Sequence, residues 1–132
     1  MPDINIFAVV VAGVVGFLFG GLWYSSKLFG KVWHRENGPH PHEAQGKHPG
    51  AAYGISAVLS VIAAFALAVW LGPEPALGTA ITKALVAGAC FVGTSFGINY
   101  QFAGRTNKLL AVDAGYHVAQ FTIFGLVLGI WH

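Results

Sequence analysis

Four long apolar runs, each nearly free of charge, narrow what this chain can become more than any other feature. Residues 6–23, 51–71, 84–102 and 114–131 contain no Asp, Glu, Lys or Arg. A hydrocarbon core about 30 Å thick is crossed by roughly 20 apolar residues in a helix, where every backbone hydrogen bond is made internally. Composition agrees: 55% of the chain is hydrophobic and 9% charged, against roughly 25% charged in soluble domains. A soluble helical core is the alternative this composition disfavours. The fold class expected is an all-α membrane protein of a single domain, residues 1–132, partnered first by the lipid bilayer. Its four transmembrane helices, at about 4–24, 51–71, 78–102 and 109–131, form an up-down bundle. The first run is preceded by Asp3 and followed by Leu22, Trp23 and Tyr24, unlike a cleavable leader, so it reads as a retained helix.

Residues 25–50 form the long connection. In its first half Leu28, Phe29, Val32 and Trp33 are mixed with Lys27, Lys31, His34 and Arg35, a pattern suited to the headgroup layer, and a short interfacial helix is expected after the first span. From Glu36 onward Gly, Pro and His dominate, as in an exposed loop. His40, His42 and His48, with His34 before them, offer imidazoles to a metal, but without Cys or a fixed ligand spacing a plain polar loop is the simpler reading. No cofactor is expected. The net charge of +2 is too small to suggest a nucleic-acid partner. Cys90, alone in an apolar run, reads as a packing residue.

Small residues recur at helical spacing: Gly16 and Gly20; Ala52, Ser56, Ser60, Ala64 and Ala68; Ala89, Gly93 and Gly97; Ala111, Gly115 and Ala119. Each such ridge lets a neighbouring backbone approach closely. Four spans carry more ridges than one compact bundle needs, so a homo-oligomer, a dimer first, is expected. The pattern V-G-x-x-F-G-x-x-W over residues 15–23 returns as V-G-x-x-F-G-x-x-Y over residues 92–100, consistent with two helical hairpins in parallel repeat or with chance. Lys27, Lys31, Arg35 and Lys47 lie between spans one and two, and Arg105 and Lys108 between three and four; Lys83 stands alone on the other side, where it can snorkel to the surface. The positive-inside rule then places both basic loops in the cytoplasm and both termini outside it.

The fourth run contains Asp113, His117 and Gln120. At 100° per residue these lie at about 200°, 240° and 180° when Ala111 is set to zero, one face of a helix, while Ala111, Gly115 and Ala119 lie nearly opposite. Counting through the short third connection puts Asn99 and Tyr100 at the depth of Asp113, with Arg105 above and the Trp23–Ser26 end of the first span on the same side. Ionisable groups at such depth are costly and point to function, although a network that only locks the bundle is the plainer explanation. A carboxylate and an imidazole four residues apart can bond, exchange a proton, or hold a cation or polar solute together.

The segment G-x-L-W-Y-S-x-x-L-F-G-x-x-W from Gly20 to Trp33, with Trp23, Tyr24, Ser25 and Trp33 at its centre, N-Y-x-F-x-x-R from Asn99 to Arg105, and D-x-G-Y from Asp113 to Tyr116 resemble the domain-of-unknown-function 1761 family. A proline commonly follows W-Y-S in that family, where Ser26 stands here. The resemblance implies a small bacterial inner-membrane protein of four helices and supplies no activity. No nucleophile triad, phosphate loop or H-E-x-x-H is present. The leading expectation is a non-enzymatic integral membrane protein that self-associates through small-residue faces, with a polar pocket for an unspecified small molecule at its cytoplasmic end. A proton-coupled or polar-solute transporter using Asp113 and His117 is the alternative, and a metal-binding protein using the loop histidines is the weakest of the three.

Overall fold

A computed structural model describes residues 3–37 and 49–132. Among these the chain is helical, with no strand. Helix α1 (Ile6–Trp23) starts at Asn5, whose side chain accepts the Ala8 N–H at 3.2 Å and so satisfies one of the donors a helix start leaves free. Helices α2 (Gly30–Asn37) and α3 (Pro49–Leu71) follow. The third span is α4 (Leu77–Val86), a π-helical segment (Ala87–Gly93) and α5 (Thr94–Ala103) in continuous succession. Gly104, at φ 69°, closes α5 by returning its N–H to the Tyr100 carbonyl, a left-handed position that favours glycine. Helix α6 (Asn107–Ile130) then begins under the Thr106 side chain, which accepts the Leu109 N–H at 3.2 Å. Four helices are long and apolar enough to cross a membrane: Ile6–Trp23, Gly50–Leu71, Leu77–Ala103 and Asn107–Ile130.

Helix α6 is the hub, packing against every other helical element among the described residues. Asp3, Gly72 and His132 line one small cleft, so the start of α1, the end of α3 and the end of α6 lie together. The opposite end, where Arg105 donates to Asn37 at 2.9 Å, carries Lys27, Lys31, Arg35 and Lys108 and is called the basic end below.

Apolar residues gain little by leaving lipid for protein, so helices in a bilayer are held by close packing and hydrogen bonds. The core is accordingly built from small side chains: Ala8 and Ala12 of α1, Ala64 and Ala68 of α3, Ala84 and Ala87 of the third span, closed by Phe124 and Leu128 of α6. A Cβ on Gly13 would lie 2.6 Å from the Cα of Val61, and one on Gly125 would lie 2.7 Å from the Ala80 carbonyl oxygen. These are the points where α1 meets α3 and α6 meets α4. Large apolar side chains instead cover the outside, Phe7, Ile98 and Phe102 among them, as lipid-facing surface would.

Several expectations are redistributed. On α3 the ridge is consumed internally from Ser60 to Ala68, whereas Ser56 is exposed. On α6 the expected groove at Ala111, Gly115 and Ala119 receives no helix: Ala111 is exposed and the space over Gly115 is filled by the Trp23 ring. The close approach on α6 falls at Gly125 and Gly129 instead, because alanines of α4 stand opposite them. Cys90, expected to be packed, is exposed on the π-helical segment. Lys83 lies with its ammonium 5.5 Å from the centre of the Trp70 ring, near the end of α3. The π-helical segment has no counterpart in the sequence expectation. Its wide turns are supported by hydroxyls, since Thr94 donates to the Cys90 carbonyl at 2.7 Å and Ser95 to the Phe91 carbonyl at 2.6 Å.

The packing sets two glycines apart. Gly125→Ala drives a methyl into the α4 backbone and is expected to cost about 1–3 kcal/mol, whereas Gly97→Ala, with nothing within 4 Å of the new carbon, leaves stability unchanged or slightly raised. Thermal unfolding of both variants in one detergent checks the contrast.

Candidate functional site

Asp113 sits one turn and a half into α6 and retains 8% of its exposure. Its Oδ1 accepts from the Tyr24 hydroxyl at 2.7 Å, and its Oδ2 accepts from the Tyr100 hydroxyl. One carboxylate therefore joins three segments: the end of α1, α5 and α6. Tyr24 reaches it because of the tight turn after α1, where Phe29 N–H returns to the Trp23 carbonyl at 3.0 Å and Gly30 N–H to the Ser25 carbonyl at 2.9 Å. Gly30 packs so closely on the Tyr24 carbonyl that no side chain fits there. Ser25 donates to the Leu22 carbonyl at 2.7 Å and closes the helix end. Trp23 fixes the turn to α6, its indole N–H donating to the Val112 carbonyl at 3.0 Å while its ring packs on Phe29 at 4.6 Å. Trp33 of α2 meets Tyr24 edge-on at 6.0 Å.

A second network lies one turn deeper. His117 Nδ1 is 2.8 Å from Gln120 Oε1, Gln120 Nε2 donates to Ser60 Oγ at 3.0 Å, and Ser60 Oγ donates to the Gly13 carbonyl at 2.7 Å. The carbonyl fixes every direction in this chain, because it can only accept. Ser60 must give its proton to Gly13 and accept from the Gln120 amide, which leaves the Gln120 oxygen to face His117. The Nδ1 nitrogen therefore carries hydrogen. The imidazole is stacked on Phe96 at 4.9 Å, and Tyr116 donates to the Gly16 carbonyl at 2.8 Å.

The structure thus brings Tyr100, Asp113 and the Trp23–Tyr24–Ser25 turn into one cluster, and His117 and Gln120 into another. Asp113 and His117 are not hydrogen-bonded to each other. Arg105 is not at the carboxylate but on Asn37, and Asn99 is exposed. Among the described residues no Lys, Arg or His forms an ion pair with Asp113. Ser60 was legible only as a packing residue of a small-side-chain ridge; its polar role depends on Gly13 and Gln120, far away in sequence. Tyr116 belonged to the D-x-G-Y motif, but its bond to α1 had no local signal.

Beside the Asp113 cluster, α1, α2, α3 and α6 enclose an open cavity of about 480 Å³. Phe17, Leu18, Tyr24, Trp33, Tyr53 and Tyr116 supply most of its walls, with Gly20 and Gly21 making room on α1. His34 also lines it, whereas His40, His42 and His48 lie outside the described residues. Among the described residues no three His, Cys, Asp or Glu side chains gather as metal ligands would.

Fold and site together define a helical protein with four candidate membrane spans, joined by buried polar networks that converge on its last helix. The sequence profile of DUF1761, a protein family of unknown function, matches residues 7–129, and the chain belongs to that family. Neither a curated protein nor a solved structure matches it.

The two tyrosines make the carboxylate separable from its charge. Asp113→Asn keeps most of the bonding and is expected to cost about 1 kcal/mol or less, whereas Asp113→Leu strands two phenolic hydroxyls and costs about 2–4 kcal/mol. In the deeper network, Ser60→Ala and Gln120→Leu should couple by about 0.5–1.5 kcal/mol in a double-mutant cycle. Melting in detergent measures both; additive effects of the second pair would contradict the chain of bonds drawn above.

Proposed function

We propose that the chain is a non-enzymatic bacterial inner-membrane protein that self-associates through small-residue helix faces and carries a ligand pocket at its cytoplasmic end. In this reading the four spans form an up-down bundle, α2 lies on the cytoplasmic surface and both termini are outside the cytoplasm. The observation that carries self-association is the outer face of the third span. Ala89 is exposed, Gly97 has nothing within 4 Å of where a side chain would start, and Gly93 meets only a carbonyl of its own span, at 3.3 Å. The ridge of α3 is spent on α1, but this one is left for a second copy, which can approach it closely.

Cys90 borders that face and is exposed, so a native thiol reports on the contact. A bifunctional maleimide is expected to link two copies through Cys90 in membranes, and Gly93→Leu with Gly97→Leu to abolish the link without lowering the melting temperature. A monomeric mass in both mild detergent and lipid nanodiscs would count against the dimer. Topology is checked by single cysteines at positions 40 and 106, which are expected to label from the cytoplasmic face alone.

A second reading, proton-coupled transport through Asp113 and His117, draws support from the π-helical segment. A Cβ on Gly88 would lie 3.3 Å from the His117 carbonyl oxygen, and π turns hold one residue more than an α-helix, often at functional sites. Under this reading solute-dependent proton flux in liposomes disappears in Asp113→Asn while folding persists; flux that survives the substitution would sink it.

A further inference from the structure

The geometry points to an amphipathic organic cation as the occupant of the cavity at the basic end, its charged head among the rings of Tyr24, Trp33, Tyr53 and Tyr116 and its apolar body directed along α1. The inference rests on the pocket reading above and gives that pocket its chemistry.

The walls present rings rather than fixed charge. Among the described residues no Lys, Arg, Asp or Glu lines the cavity. Lys31 and Arg35 lie on the same short helix as Trp33 and His34, but about 100° or more around it from the side that those two share. Repulsion from fixed cations among these residues is therefore small. The hydroxyls of Tyr24 and Tyr116 are both committed as donors, to Asp113 and to the Gly16 carbonyl. What these tyrosines offer the cavity is their rings, and ring faces attract cations, with tryptophan the strongest.

A carboxylate lies behind the wall. Asp113 is buried and has no ion-pair partner among the described residues. A buried charge without a counter-charge is costly even when hydrogen-bonded. Tyr24 stands between this carboxylate and the cavity, touching Asp113 with its hydroxyl and lining the cavity with its ring. A cation seated against that ring supplies the missing opposite charge at one side chain's remove.

The α1 wall runs from Tyr24 down to Phe17, about 10 Å of helix, so the cavity extends from the basic end towards the middle of the span. Leu18 and Tyr53 are 62% and 66% exposed, so the α1 and α3 walls of the cavity reach the outer surface, where acyl chains would lie. An occupant with an apolar body can enter from the bilayer. The volume of about 480 Å³ falls inside the range of roughly 300–1,000 Å³ typical of small-molecule sites.

Two probes of matched shape and opposite charge test this: tetraphenylphosphonium and tetraphenylborate, each titrated by equilibrium dialysis against the full chain in neutral detergent, with protein-free micelles subtracted. The cation is expected to bind about tenfold tighter than the anion or better. Tyr53→Ala, which removes an exposed side chain and leaves the bundle folded, weakens cation binding by about tenfold. Asp113→Asn lowers the cation's preference over the anion towards unity. Equal binding of both ions would overturn the inference while leaving an apolar pocket in place. Binding of neither ion would overturn the inference and the pocket together. Should Asp113→Asn fold as wild type and keep the full cation preference, the role given to the carboxylate is wrong and the inference fails.

Discussion

One carboxylate at depth, bonded to two phenols from different spans, organises the basic half of this molecule. Hydrocarbon penalises the Asp113 side chain by a few kcal/mol unless protein surrounds it, and that penalty dictates where its neighbours go. Tyr100 must arrive from the third span and Tyr24 from the turn after α1. The turn in turn needs Gly30 beneath the Tyr24 carbonyl and Trp23 anchored on Val112. The string of aromatic and glycine residues around position 24 is thus the mechanical support of a single hydrogen bond.

The other half of the bundle obeys a different rule. Between Gly13 and the end that carries the termini, helices are held by contact between backbones, with alanine and glycine at nearly every crossing and Phe124 filling what remains. The His117–Gln120–Ser60 chain lies at the boundary of the two regimes. It ties α6 to α3 through Ser60, and towards the basic end α1 and α3 both line the cavity. A tight apolar half and a looser polar half together explain how so short a chain can enclose space without losing its core.

Much of this was legible in the residues. The spans follow from charge-free runs, and the centrality of the fourth follows from the polar stripe within it. That Asn99 and Tyr100 come to the depth of Asp113 follows from the short connection between their helices, although which of them bonds the carboxylate does not. What the residues withheld is what depends on partners. A ridge of small side chains shows that something approaches but not what: Ser60 to Ala68 met α1, Gly115 met an indole, and Gly97 met nothing. Arg105, expected above the cluster, turns to Asn37, because α2 folds back to within its reach. The cavity needed four elements to exist at all. The similarity between residues 15–23 and 92–100 does not survive packing either, since Gly16 and Gly20 of α1 face Phe124 and Tyr116 of α6 whereas Gly97 faces open space.

That last difference has a geometric origin in the wide turns of Ala87–Gly93. One extra residue in a helix advances everything after it by about 100°. The third span therefore has two phases: alanines of α4 point at α6 in one, and Phe96 and Tyr100 point at it in the other. A straight α-helix of the same sequence would align the first set and swing Tyr100 away from Asp113. The spacing between residues 84 and 100 is accordingly a matter of counting rather than of composition. Loss or gain of a single residue there would leave hydropathy untouched and disconnect the carboxylate.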